Sequence, residues 1–274
     1  MITSPTNSRI KEIRLLKQAK HRKARGEYFI EGVRLAEEAL AQNDDVRVFV
    51  HSPRLGRDAR GAALLDSARK NAARAELLEV SDRVMDFLGE TQTHQGVLIV
   101  LRKKNYSWDD LINPPGILLI LHALQDPGNL GTIFRVAEAG GAAGLVLTGG
   151  TVDPYSPKVL RASMGSLFRL PFLTDLEIHD VLQKARSLGF RIRAAVGKGG
   201  ASFWATDLTE RTAVILGQEG SGLPREAAES ADALVTIPMF AATESLNVAM
   251  TAGLLVYEGK RQIISRGESE KRKG

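Results

Sequence analysis

The chain has 274 residues, 43% of them apolar, which is enough for one large or two medium domains that each bury a core of their own. It contains no cysteine, so disulfides, thiolate zinc or iron-sulfur sites and cysteine nucleophiles are all excluded, and the cytoplasm is the expected compartment. Neither a signal-peptide-like apolar run near the start nor a stretch of about 18 uncharged apolar residues occurs, so no membrane contact is expected.

The net charge of +5 is unevenly spread: residues 1–30 hold eight basic and two acidic side chains, residues 259–274 six and two, and the body between is net acidic. Basic ends on such a body suit a partner with a phosphate backbone, since they gain affinity by releasing counterions. A solvated basic helix and a frayed tail would give the same composition.

From Ser8 to about Ala19, Ile10, Ile13 and Leu16 recur at helical spacing, with Arg9, Lys11, Arg14 and Lys17 on the other faces, which predicts a basic amphipathic helix. A basic turn, HRKARGE, follows. YFIEGVRLAEEAL then reads as an apolar entry into a second helix, VRVFV (46–50) as a strand, 58–73 as helical, and ELLEV (76–80) and GVLIVLR (96–102) as strands. This alternation predicts a small α/β domain over residues 1–105, closed by the charged, Pro-containing segment RKKNYSWDDLINPPG. A second α/β domain, 106–274, is expected to hold apolar strands ILLILH (117–122), GLVLT (144–148), FRIRAAV (190–196), TAVILG (212–217) and ALVTI (233–237). Runs this apolar, with helices between them, indicate a parallel sheet covered on both faces, and a last helix is expected from about Ser245. The final eight or so residues read as disordered.

Three loops of the second domain follow strand ends, where open α/β sheets place ligands. In QDPGNLGTIFRVAEAGG, Asn129 opens a helix that carries Arg135 nearly two turns on. A helix amino terminus with an arginine is a phosphate-friendly arrangement, although an N-cap asparagine and a surface arginine would look the same. In LGQEGSGLP, Glu219 stands among glycines that bare the main chain to a ligand; a turn before the Pro224 helix would also account for them. In IPMFAATESLNVAM, Ser245 is a candidate cap, and Asn247 is a poor helix former that capping by Ser245 leaves unexplained. Ile237, Met239 and Leu246 supply an apolar wall suited to a flat heteroaromatic group. His21, His51, His94, His122 and His179 lack metal-ligand spacing, so no metal is expected.

In order, NLGTIFR, LGQEGSGLP and IPMFAATESLNVAMTAGLLVYE resemble the three motifs of the SpoU (TrmH) branch of the SPOUT methyltransferases. DPYSPKVLRASMGSLFRLP matches between the first two, and NSRIKEIRLLKQAKHRKARGEYFIEGVRLAEEAL with THQGVLIV is similar to the ribosomal-protein-like substrate-binding domain of rRNA-directed members, so the likeness spans nearly the whole chain. The resemblance implies an RNA substrate-binding domain (1–105) ahead of a trefoil-knotted, parallel-sheet SPOUT domain (106–274) that works as a homodimer. It implies transfer of the methyl group of S-adenosyl-L-methionine to a ribose 2'-hydroxyl, with 23S-type large-subunit rRNA as the expected substrate and no DNA partner. The alternatives are a tRNA 2'-O-methyltransferase, an antibiotic-resistance rRNA methylase, and a non-catalytic RNA-binding or ribosome-assembly protein. By the same likeness Gly217, Ile237 and Leu246, with Met239 beside them, are the expected cofactor-binding residues, and Asn129, Arg135, Glu219, Ser245 and Asn247 the expected catalytic set.

Overall fold

The computed structural model describes residues 1–42, 45–70, 75–91, 93–113, 116–218, 220 and 222–271, and of residues 268–271 the backbone alone. In chain order the elements are α1 (Ser8–Leu15), α2 (Ala19–Arg25), β1 (Glu27–Glu31), α3 (Val33–Ala41), β2 (Val46–His51), α4 (Ala59–Lys70), β3 (Glu76–Glu79), α5 (Asp82–Leu88), β4 (Val97–Arg102) and α6 (Trp108–Ile112). There follow β5 (Leu118–Leu121), α7 (Pro127–Ala139), β6 (Gly144–Thr148), α8 (Pro157–Ser163), β7 (Phe172–Leu176), α9 (Ile178–Ser187) and β8 (Arg191–Ala195). The chain continues through β9 (Ala201–Ser202), β10 (Thr212–Leu216), α10 (Arg225–Glu229), β11 (Ala233–Thr236) and α11 (Val248–Lys271). Among the described residues no helix is long and apolar enough to cross a membrane.

Two compact units result, one of Met1–Asn105 with Tyr155–Phe168, the other of Tyr106–Pro154 with Arg169–Gly274. The segment 155–168 thus belongs with the first unit although it lies far beyond residue 105. Its Tyr155 ring sits 4.6 Å from that of Tyr28, and the Lys103 ammonium lies 4.5 Å from the Tyr155 ring centre. Lys104 also donates to the Phe168 carbonyl at 2.8 Å.

The first unit is built on a four-stranded sheet of order β1-β4-β2-β3, with β4 antiparallel to both neighbours and β2 parallel to β3. Ile10, Ile13 and Leu16 pack with Val84, Met85 and Leu88 of α5 onto alternate residues of the strands, as period-2 and period-3.6 patterns require. The single basic helix foreseen here is instead two. α1 ends at Leu15, and the HRKARGE segment, read as a turn, supplies most of α2, which Gly26 ends in a left-handed conformation at φ 62°. The break is held by buried Arg22, whose guanidinium donates to the carbonyls of Leu16 (2.8 Å) and Lys17 (2.7 Å) that a longer helix would have satisfied internally.

In the second unit every sheet pairing is parallel, in the order β7-β6-β5-β10-β8-β11-β9. Strands β5, β6 and β10 are buried throughout, which is why they read as unbroken apolar runs. One face packs on α9 through Val181, Leu182 and Ala185. β7 was not foreseen: its sequence FLTDL has only a broken apolar pattern, with Asp175 at φ 60°, as an edge strand allows. α11 runs to Lys271, into the tail expected to lack structure.

Candidate active site

Because the strands of the second unit are parallel, the loops leaving β5, β8, β10 and β11 emerge at one edge of the sheet. The order reverses beside β5, where β6 and β7 continue to one side and β10, β8 and β11 to the other. Such a switch point opens a crevice at the carboxyl ends of the strands.

After β5, Asp126 caps α7 by accepting from the Asn129 N–H at 2.7 Å, with Pro127 at the first helical position. The N-cap reading for Asn129 is thereby corrected: it is the third helical residue, and its side chain serves elsewhere. Its role is long-range. Asn247 donates from Nδ2 to Asn129 Oδ1 at 3.0 Å, while its own Oδ1 accepts from the N–H groups of Ala249 (2.9 Å) and Met250 (3.4 Å). Asn247, not Ser245, is therefore the residue that caps α11, and one amide ties the amino ends of α7 and α11 together. Arg135 is exposed on α7 and has no hydrogen bond or ion pair among the described residues. On the same helix Glu138 is held by Arg169, so Arg135 is a cation available for a ligand.

The loop after β10 folds back on itself, with the Gly222 N–H donating to the Gln218 carbonyl at 2.9 Å. A Cβ on Gly217 would lie 2.4 Å from the Gly222 backbone carbon, so only glycine permits this return. Glu219, expected in the catalytic set, lies outside the described residues.

A cleft of about 220 Å³ opens where these loops meet the start of α11. Gly217, Ile237, Met239 and Leu246, the four residues expected to bind a cofactor, all line it, and so does Ser245. Asn129, Arg135 and Asn247 are not among its lining residues. Sequence reasoning missed Val196 and Gly197 after β8 and Thr251 on α11, which also face the cleft. A signal for the first two existed: VGKGG is a glycine cluster directly after an apolar strand, the same pattern that singled out LGQEGSGLP. Nearby, His122 at the end of β5 contacts the Thr148 hydroxyl through Nδ1 at 3.0 Å, and burial holds its pKa below the ordinary histidine value.

Comparison with known proteins bears on this geometry. Residues 116–257 match the SpoU rRNA Methylase family and residues 7–99 the MRM3-like substrate binding domain. An uncharacterized tRNA/rRNA methyltransferase of Synechocystis is 37% identical over 95% of this chain and 93% of its own length. The 23S rRNA guanosine 2'-O-methyltransferase RlmP of Bacillus subtilis is 28% identical over 93% of this chain and 97% of its own. Among solved structures, the AdoMet-bound rRNA methyltransferase of Sinorhizobium meliloti superposes with a TM-score of 0.84 at 31% identity, over 96% of this chain and 97% of that one.

Proposed function

The chain belongs to the SpoU rRNA methylase family, and from that premise we propose that it methylates a ribose 2'-hydroxyl of 23S-type large-subunit rRNA with S-adenosyl-L-methionine, as a cytoplasmic homodimer. The observation that carries this reading is the cleft: among its lining are Ile237, Met239 and Leu246, the apolar wall expected for a cofactor, and Gly217, expected from the resemblance, all at the carboxyl edge of a parallel sheet.

The residues present fit the cofactor. Gly217, Gly220 and Gly222 leave main-chain groups bare, while Ile237, Met239 and Leu246 give an apolar wall for a flat ring. When bound, S-adenosyl-L-methionine supplies a methyl group on a sulfonium that leaves as a neutral thioether, so the electrophile needs little help. The nucleophile needs more. As the O–C bond forms and the S–C bond breaks, the 2'-hydroxyl must lose its proton or have its developing negative charge stabilised. Arg135, exposed and unpaired among the described residues, suits charge stabilisation and phosphate anchoring; a guanidinium resists the deprotonation that a base would need. The Asn129–Asn247 bond fixes the helix that carries Arg135, Ser245 adds a hydroxyl at the cleft, and Glu219 keeps the place in the catalytic set that the resemblance gives it.

A second copy is supported by α11. Met250, Leu254, Tyr257 and Ile264 are 60, 39, 54 and 52% exposed, at the spacing of one helix face. Such a stripe suits packing against another helix, and the S-adenosyl-L-methionine cleft begins on the same element. The first unit is assigned to holding RNA, in line with the substrate-binding family it matches.

The test is transfer of labelled methyl from S-adenosyl-L-methionine to unmodified large-subunit rRNA, small-subunit rRNA and bulk tRNA. Label in large-subunit rRNA is expected. Label only in tRNA would overturn the substrate, and no label in any RNA or pre-ribosomal particle would overturn the reaction. Mixed dimers of two differently inactivated chains would regain activity if each site draws on both protomers.

A further inference from the structure

The chain is poor in aromatic residues, at 5%, and most of them are buried; Trp204, Phe240 and Tyr257 are the aromatic side chains exposed among the described residues. Two of these three stack on each other. The Trp204 and Phe240 rings lie 5.9 Å apart at 22°, although they are 56 and 84% exposed. Rings paired in this way still present outer π-faces to solvent.

Trp204 stands on fixed backbone, and Phe240 adjoins a residue that lines the cleft. Trp204 follows the edge strand β9, its neighbour Phe203 is buried, and the Phe203 N–H donates to the Thr236 carbonyl of β11 at 3.0 Å. Beyond it, Gln262 of α11 donates to the Thr206 carbonyl at 3.1 Å and accepts from the Leu208 N–H at 2.9 Å, closing the other side of the turn. Phe240 directly follows Met239, which lines the cleft, and Gly197, also in its lining, is followed by the exposed Lys198. The exposed run after Phe240 continues from Ala241 to Asn247, and Leu246 is its one large apolar residue, so no broad apolar surface extends the pair along it. A protein partner needs a larger contiguous patch, such as the stripe on α11. A flat base needs only a ring face and a nearby cation, and it stacks regardless of its identity.

We infer that Trp204 and Phe240 form a stacking platform for an unpaired base of the RNA substrate beside the methyl-donor cleft; this rests on the reading of the chain as an RNA methyltransferase. The rings are preorganised, so a splayed-out nucleotide pays little ordering entropy on the protein side. The platform acts on substrate binding, not on the cofactor.

The experiment compares Trp204→Leu and Phe240→Leu, which keep apolar bulk, with Trp204→Phe and Phe240→Tyr, which keep a π-face. Steady-state methyl transfer to a large-subunit rRNA transcript, calorimetric binding of S-adenosyl-L-methionine and sedimentation are measured for each. The leucine variants are expected to raise KM for RNA roughly five- to tenfold, and the aromatic variants to stay within about twofold of wild type. Cofactor affinity and sedimentation stay unchanged. Leucine variants equal to wild type, a parallel loss of cofactor affinity, or dissociation into monomers would each overturn the platform. If wild type transfers no methyl to the transcript, the proposed function fails separately, and filter binding of that transcript decides the platform: equal affinity of wild type and leucine variants overturns it.

Discussion

The two sheets use the same kinds of residue to different ends. In the four-stranded sheet β4 runs against both β1 and β2, so loops leave at both edges and no single rim collects them. In the seven-stranded sheet all pairings are parallel, so the loops that carry glycines, Asn129 and Ser245 share one rim. The cations of the basic first stretch are mostly committed. In the first unit Arg9 is held by Glu76 and Glu12, Arg14 lies 3.6 Å over the Phe87 ring, Lys17 donates to the Gly89 carbonyl, and Arg25 pairs with Glu27. In the second unit Arg135 stands without such a partner among the described residues, as Arg34, Arg83 and Arg161 do in the first. A basic stretch of sequence is therefore a poor measure of free positive charge, since most of these side chains are committed once the sheet has formed.

The sharpest way to break that contrast is at Arg135. Arg135→Ala is expected to lower methyl transfer by about 100- to 1000-fold, the range found when one charge-stabilising donor is removed, with S-adenosyl-L-methionine affinity within about twofold of wild type. Arg135→Lys keeps the charge but loses the planar fork and should recover only part of the activity. Near-normal turnover in Arg135→Ala, measured by label incorporation, would place the chemistry elsewhere.

Next in size is Gly217→Ala. Its Cβ has no room against the backbone of Gly222, so the loop must open and the cleft wall shift. Affinity for S-adenosyl-L-methionine by calorimetry should fall about tenfold or more, since this wall is made of backbone that side-chain motion cannot relax. Unchanged affinity would show that the fold-back of the loop is not what shapes the site.

In the first unit the same kind of substitution should act on stability instead. Arg22→Ala removes the donors that satisfy the Leu16 and Lys17 carbonyls and is expected to cost about 1–3 kcal/mol in chemical denaturation. The salt dependence of RNA binding, plotted as log K against log salt, should keep its slope, because this guanidinium neutralises no phosphate. A slope reduced by about one unit would assign Arg22 to the RNA instead.

How much of this was legible in the sequence follows from where each partner lies. The buried parallel strands announce themselves as apolar runs, and the cleft wall through Ile237, Met239 and Leu246 was readable because glycines and apolar residues cluster after strand ends. The caps were misplaced by two and three residues, although Pro127 at the first helical position already pointed to Asp126. The commitment of Arg9 to Glu76 and of Lys17 to Gly89 had no local signal, since these partners meet only when the sheet has formed. The trefoil knot implied by the resemblance likewise has no signature in composition or periodicity.

The smallest expected effect compares one histidine from each unit. Burial lowers the pKa of His51, with Glu79 opposing and Arg69 adding to the shift, and burial alone lowers that of His122. In both cases the unfolded chain takes up protons more readily than the folded one, so stability rises with pH. The contribution is complete above the unfolded value of about 6.5 and is lost as pH falls through the window below it. Urea midpoints should therefore fall between pH 7.5 and 5.5, by a fraction of that caused by Arg22→Ala. Both tryptophans, Trp108 and Trp204, belong to the second unit, so their fluorescence follows the unit that holds His122. His122→Gln should flatten the pH dependence seen by fluorescence more than His51→Gln does, and equal flattening would mean that the two units do not unfold separately.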